Sequence, residues 1–234
     1  MVKEVIILAG GLGTRLRKVI KDIPKPMADI DGKPFLEYLL YFLSKQGMER
    51  VILSVGYKSE VIMKYFGNSF LGMELLYSVE MEPLGTGGAI KKSLTFAKNN
   101  DVFIVNGDTF FKIDLNLFFL FYRRKQTVLS VALRPMRNFD RYGIVMLDRD
   151  KRIIGFREKK YHKIGLINAG TYLLNKNYFL SLSLPEKFSF EKDFIERYYT
   201  ELPFYGFEHN GYFIDIGIPE DYEECKRMLK KVLV

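Results

Sequence analysis

Directly after a short apolar run the chain reads Leu8-Ala9-Gly10-Gly11-Leu12-Gly13-Thr14-Arg15-Leu16. Glycines at 10, 11 and 13 allow positive φ and turn several backbone N–H groups toward one anion, while the Arg15 guanidinium adds a forked donor for phosphate oxygens. This chemistry suits a polyphosphate. A Walker A loop would need Lys followed by Ser or Thr, and a dinucleotide fingerprint would need Gly or Ala in place of Leu16, so neither pattern is met. Further on, Ile23-Pro24-Lys25-Pro26-Met27 stiffens the backbone around one ammonium. A lysine so held can serve a triphosphate, whereas a lone lysine is more often a solvated surface group. Asp108 follows the apolar run Val102 to Val105, at the carboxyl edge of the expected sheet, where open α/β folds bind ligands. There it suits a Mg²⁺ ligand. Asp114 competes for that role, but helical residues Leu115 to Tyr122 follow it directly and it reads as an N-cap.

Positioning these groups requires strands and helices in alternation. Glu4 to Leu8, Arg50 to Val55 and Val102 to Val105 read as strands. Phe35, Leu36, Leu39, Leu40 and Leu43 share one helical face, and Ala89 to Ala97 is expected to form a helix after a glycine-rich turn. The alternation implies parallel strands joined by right-handed crossovers. After Thr127 the texture becomes β-rich: Val128 to Leu133, Gly143 to Leu147, Arg152 to Arg157 and Ile167 to Leu174 read as strands extending the sheet, with a hairpin loop at Asp148 to Asp150. A short strand is expected from Tyr212 to Ile216. A last helix begins at Pro219, with Glu220 and Asp221 in its first turn and Lys230 and Lys231 in its last, and presents Tyr222, Cys225, Leu229 and Val232 on one face. One domain, 1–234, is expected, with halves 1–126 and 127–234.

The 234 residues, 48% hydrophobic and with 35 aromatic side chains (20 Phe and 15 Tyr), exclude a disordered or fibrous chain. Cys225 stands alone, so neither an internal disulfide nor a zinc site is available to it, and a reducing cytoplasmic compartment is the default. No apolar run approaches a membrane span or a signal peptide. The net charge of +8 creates a positive field that nucleic acid, an anionic membrane or small phosphorylated substrates could all exploit. His162 and His209 fit no metal-ligand spacing and no nucleophile pair. Phe and Tyr side chains between Phe110 and Tyr122 are expected to form either a homo-oligomer face or core.

Five motifs in order, Gly10-Gly-Leu-Gly-Thr-Arg-Leu16, Pro24-Lys-Pro26, Leu84-Gly-Thr-Gly-Gly-Ala89, Asn106-Gly-Asp108 and Phe213-Ile-Asp-Ile-Gly217, span nearly the whole chain. In this the chain resembles the sugar-1-phosphate nucleotidyltransferases. The resemblance implies an α/β, Rossmann-like nucleotidyltransferase fold: a mixed, mostly parallel central sheet flanked by helices, with a β-rich sugar-binding extension. It implies Mg²⁺ on Asp108 and Asp215, and catalysis by Arg15, Lys25, Asp108 and Asp215. The nucleotide would meet Leu8, Ala9, Gly10, Gly11, Gly13, Thr14, Arg15, Lys25, Glu80, Gly85, Thr86, Gly88 and Asp108. The sugar and its phosphate would meet Tyr142, Gly143, Glu158, Lys159, Asn168 and Gly170. Relatives often carry proline after the lysine, where Arg157-Glu-Lys-Lys160 has Lys160, so the geometry of that loop is left open. Lys160 and Lys163 are read as solvated.

Glu80 bears on the base, because guanine offers two adjacent donors and an ionised carboxylate only accepts. An alignment slip of two residues would give that place to Glu82. The resemblance therefore implies GMP transfer from GTP to a sugar 1-phosphate, a D-glycero-D-manno-heptose ahead of mannose, releasing pyrophosphate. The GDP-sugar would feed a bacterial surface polysaccharide such as capsule or lipopolysaccharide. No nucleic acid and no membrane partner is implied.

Overall fold

A computed structural model describes residues 2–11 and 23–233. In chain order it contains β1 (Glu4–Leu8), β2 (Asp29–Ile30), β3 (Lys33–Pro34), α1 (Phe35–Lys45), β4 (Arg50–Val55), α2 (Ser59–Phe66), β5 (Ser69–Phe70) and β6 (Met73–Val79). There follow α3 (Gly85–Ser93), β7 (Asp101–Asn106), β8 (Thr109–Phe111), α4 (Leu115–Lys125), β9 (Leu129–Phe139), β10 (Ile144–Leu147), β11 (Ile153–Arg157) and β12 (His162–Asn175). The chain closes with α5 (Lys176–Ser181), a π-helical turn Phe190–Ile195, α6 (Glu196–Tyr198), β13 (Phe204–Glu208), β14 (Phe213–Asp215) and α7 (Pro219–Leu233).

Eight strands form the central sheet in the order β13-β9-β12-β7-β1-β4-β6-β5. β1 pairs in parallel with both β4 and β7, β4 with β6, and β9 with β13, while β12 runs antiparallel between β7 and β9. The mixed, mostly parallel sheet flanked by helices is therefore the expected one. Side chains alternate across it as the strand period demands. Val5, Ile7, Val51 and Leu53 face one cluster with Phe35 and Leu39 of α1, Phe118 of α4 and Cys225 and Leu229 of α7. Ile6, Ile52, Val102 and Ile104 face the other, with Ile90 of α3, Phe179 of α5 and Phe190 and Phe194 of the π-helical turn. Each fully buried side chain of this size contributes about 1.5–3 kcal/mol relative to exposure.

The structure also corrects several sequence expectations. The expected helix Ala89 to Ala97 starts earlier, at Gly85, and ends at Ser93, with a 3₁₀ turn Leu94–Phe96 after it. The glycines thus lie inside the helix, because Gly87 and Gly88 are packed against residues 186–188 and have no room for side chains. The hairpin β10–β11 turns at Asp148, whose Oδ1 accepts from Asp150 N and Arg152 N, yet it is a separate two-stranded ribbon and does not extend the main sheet. β9 and β12 outrun their expected bounds, pairing as far as His162 with Phe139. The expected strand from Tyr212 to Ile216 is Phe213–Asp215.

Within the stretch from Phe110 to Tyr122, Phe110, Phe111, Phe118 and Tyr122 are buried in the core, Phe119 and Phe121 are half-buried, and the large apolar side chains left exposed are Leu117 and Leu120. Asp114 does cap α4, accepting from Leu117 N at 2.9 Å. Helix α2 and strands β6 and β13 had no sequence counterpart. Among the described residues no helix is long and apolar enough to cross a membrane.

Candidate active site

The expected phosphate-binding stretch begins at the carboxyl end of β1, with Leu8, Ala9, Gly10 and Gly11 described and Leu12, Gly13, Thr14, Arg15 and Leu16 outside the described residues. Two close approaches set what surrounds it. Gly107 N donates to Leu8 O at 2.9 Å, and a Cβ at Gly107 would stand 2.7 Å from that oxygen, so glycine is what lets Asp108 follow β7 beside the end of β1. On the other side, a Cβ at Gly10 would stand 2.8 Å from Glu80 Oε1. Glu80 therefore lies against the loop. Its Oε1 accepts from Ser54 Oγ at 3.0 Å and its Oε2 from Leu84 N at 3.1 Å, just before the N-terminus of α3, where the helix dipole favours a carboxylate. Glu82 is exposed and Glu80 is half-buried.

Asp108 and Asp215 are 107 positions apart in the chain and meet through backbone pairing. β14 runs antiparallel to β8 with Asp215 opposite Thr109, and Ile216 N donates to Asp108 O at 3.0 Å. Lys25 rises from a 3₁₀ turn, Lys25–Met27, flanked by its prolines. Its Nζ donates to Asp108 Oδ2 at 2.6 Å and stands 3.6 Å from Asp215 Oδ1. One ammonium thus bridges both carboxylates. The Lys25 side chain is 10% exposed and that of Asp108 38%, so the pair is reachable from solvent. Two adjacent carboxylates with room for further oxygen ligands are a donor set that Mg²⁺ accepts. No group of three or more His, Cys, Asp or Glu side chains that could hold a metal occurs among the described residues.

Mostly second-half residues, with Asn106 and Thr109, line a cavity of about 780 Å³. Tyr142, Gly143, Glu158, Lys159, Asn168 and Gly170, all expected on the sugar side, line it together with Asp215. Gly143 permits the close turn: a Cβ there would stand 2.7 Å from Arg157 O. Gly170 takes φ +67° and packs on Asn106, whose buried Oδ1 has no hydrogen-bond partner among the described residues and which also lines the cavity. The Tyr142 hydroxyl accepts from Arg141, which also pairs with Asp221 at the start of α7. Burial, with the Asp215 charge nearby, pushes the Tyr142 phenol up to about 12. Lys160 and Lys163 are exposed, as read from the sequence.

Sequence reasoning missed one wall entirely. Ser189, Glu191, Lys192 and Glu196 line the cavity from the π-helical turn and the residues beside it. Burial, reinforced by the Glu158 and Glu191 charges, raises Glu196 above the ordinary carboxylate range. The available signal was the Ser189-Phe-Glu-Lys-Asp193 run, polar residues interrupting an aromatic stretch. Of the expected nucleotide contacts, Gly88 is buried with its Cα 's missing substituent facing Glu186 O, and the Thr86 hydroxyl is engaged by Glu191 and Phe190 N. His162 is buried, its Nε2 3.1 Å from Glu158 O, and so supports the loop that carries Glu158.

A mostly parallel α/β sheet, paired carboxylates under a lysine and an adjoining polar cavity together describe an enzyme site suited to phosphate esters. The nucleotidyl transferase family model matches residues 4–232, and the chain belongs to that family. It is 52% identical over 227 residues to a D-glycero-α-D-manno-heptose 1-phosphate guanylyltransferase of Aneurinibacillus thermoaerophilus, covering 97% of this chain and 98% of the relative. A protein of the same name from Campylobacter jejuni is 52% identical over 219 residues, 94% of this chain and 96% of its own length. Among solved structures, HddC from Yersinia pseudotuberculosis superposes with a TM-score of 0.88 at 39% identity, covering 97% of this chain and 99% of that one. In complex with GMP-PN the same protein gives a TM-score of 0.86.

Proposed function

We propose that this protein transfers GMP from GTP to D-glycero-α-D-manno-heptose 1-phosphate, forming the GDP-heptose and releasing pyrophosphate. The observation that carries the reading is a cavity whose lining joins Asp215, one of the paired carboxylates, to Glu158, Lys159 and Asn168, groups suited to a sugar phosphate. The identity to the two guanylyltransferases supports the choice of base and sugar.

In this reading Glu80 selects the base. Ser54 and Leu84 N each occupy one acceptor site on a different oxygen, which leaves a second site on each for the adjacent N1–H and N2–H₂ donors of guanine. Gly10 and Gly11 bring backbone N–H groups to the phosphates, with Arg15 as the forked donor. Asp108 and Asp215 would hold Mg²⁺, which supplies charge neutralisation at the phosphates. Lys25, already between these carboxylates, places its ammonium beside the reacting phosphate, and Lys159 balances the charge of the sugar phosphate. A phosphate oxygen of the sugar 1-phosphate attacks the α-phosphorus in line, a new P–O bond forms, the bond to the β-phosphate oxygen breaks, and pyrophosphate carries away the electron pair. Positioning and charge neutralisation supply the catalysis.

The test is pyrophosphate release with Mg²⁺ and each of the four ribonucleoside triphosphates against heptose and mannose 1-phosphates. Turnover is expected with GTP and the heptose, and Glu80→Gln should erode the preference for GTP roughly tenfold, the scale of one hydrogen bond to a charged group. Activity only with another triphosphate, or with mannose 1-phosphate alone, would overturn the assignment of base or sugar respectively.

A further inference from the structure

A line of hydrogen bonds with a fixed direction joins the glycine tract to the cavity. Three hydroxyls converge on Glu191: Thr86 Oγ1 donates to Oε2 at 2.7 Å, Ser189 Oγ to Oε2 at 3.3 Å, and Tyr172 OH to Oε1 at 3.1 Å. A carboxylate so surrounded only accepts. Tyr172, which is 1% exposed, has a single proton to give, and once that proton is directed at Glu191 its oxygen can only accept. It accepts from Asn168 Nδ2 at 3.0 Å. The Asn168 amide must then turn its Oδ1 to Gly170 N, at 2.9 Å, which holds the left-handed Gly170. At the far end the Thr86 oxygen is anchored by Phe190 N at 2.9 Å. Every direction in the line follows from the charge on Glu191.

We propose that Glu191 is a positioning residue that couples the nucleotide and sugar sites, because its carboxylate sets both the Thr86 end of the glycine tract and the orientation of Asn168. The inference rests on the functional reading in one respect: the tract faces the nucleotide and Asn168 the sugar. A nucleotide that settles the N-terminal turn of α3 thereby settles Thr86 and, through Glu191 and Tyr172, presents Asn168 in one orientation. The sugar phosphate then meets a side chain already aligned. Linkage makes the effect reciprocal. Glutamine at 191 breaks the direction: an amide nitrogen facing Tyr172 would reverse the phenol and flip Asn168 away from Gly170 N, and one facing Thr86 would leave the Thr86 proton without an acceptor.

The experiment measures, by calorimetry on the full chain, binding of the heptose 1-phosphate with and without saturating α,β-methylene GTP and Mg²⁺, a nucleotide that cannot be transferred. In the wild type the nucleotide should tighten sugar phosphate binding by about fivefold or more, the lower range of such couplings. Thr86→Val, which lies outside the cavity lining, should bring this ratio close to one, as should Tyr172→Phe and Glu191→Gln, whereas Thr86→Ser should restore it. Thermal melts identify folded variants, and the valine–serine pair decides the matter if the Glu191 variant does not fold. A wild-type ratio of one, or a full ratio retained in Thr86→Val, would overturn the coupling. Coupled binding without pyrophosphate release would overturn the functional reading and leave the coupling standing, while turnover without coupling would do the reverse.

Discussion

Lys25 with its two aspartates and Glu191 with its three hydroxyls are both polar clusters beside the central sheet, but they are built for different tasks. The first is ionic and reachable from solvent, with the Asp108 side chain 38% exposed, and such a pair can exchange partners when an anion arrives. The second is half-buried on the cavity wall and directional: Tyr172 is fully buried, its phenol is pushed well above its ordinary range chiefly by burial, and each donor has one available acceptor. The contrast separates a region that stabilises changing charge from one that holds a shape. Their local sequences differ in the same way. Two members of the ionic group, Lys25 and Asp108, sit in short motifs, the proline-flanked turn and the Asn106-Gly-Asp108 turn, whereas the directional group of Thr86, Asn168, Tyr172 and Glu191 includes no such pair.

The largest effect that would sharpen this comparison is expected at Asp108. Asp108→Asn should slow pyrophosphate release about 1000-fold, the upper scale of losing one preorganised charge-stabilising group, with the fold retained by circular dichroism. A loss below tenfold would place the reacting phosphate elsewhere. On the cavity side, Glu158→Gln should instead act on binding, raising the KM for the sugar 1-phosphate by about ten- to a hundredfold while leaving that for GTP near wild type, as for the loss of a hydrogen bond to a charged group. Equal effects on both substrates would break the division between the two regions.

Packing sets the next scale. A Cβ at Gly88 would stand 2.1 Å from Glu186 O, so Gly88→Ala should cost about 1–3 kcal/mol, read as a lower urea midpoint at unchanged slope. A neutral result would mean that residues 186–188 are not held on α3 as described. The smallest effect concerns Cys225, whose thiol is pushed up to about 12 chiefly by burial and then by the nearby Glu224 and Asp221 charges. The native protein should resist thiol reagents at pH 8 and react on unfolding. Because the folded thiol keeps its proton when the unfolded one has ionised, its contribution to stability is complete below the ordinary thiol range and is lost as pH rises toward about 12. Cys225→Ala should flatten that alkaline decline, as followed by urea unfolding between pH 7 and 10.

Local motifs made part of this site legible. The proline-flanked Lys25 and the turn carrying Asp108 are each contiguous stretches, and the structure brings their two side chains together. Resemblance supplied Asp215 and the six cavity residues, which spacing alone did not reveal. The wall around Glu191 was not legible, since a π-helical turn has no simple apolar period and its aromatic residues looked like undifferentiated core. The start of α3 was misplaced because glycine is a poor helix former by itself, and only the contact with residues 186–188 explains its use there.

By itself the sequence determined the alternation of strands and helices, the cap at Asp114 and the start of the last helix at Pro219, all of which depend on interactions between near neighbours. Tertiary structure decided which distant groups meet. The register of β14 on β8 puts Asp215 beside Asp108, and the packing of residues 186–191 on α3 puts Glu191 between Thr86 and Tyr172. Such pairings depend on the closure of long loops by burial of apolar surface, an energy summed over the whole core and therefore absent from any short stretch of residues.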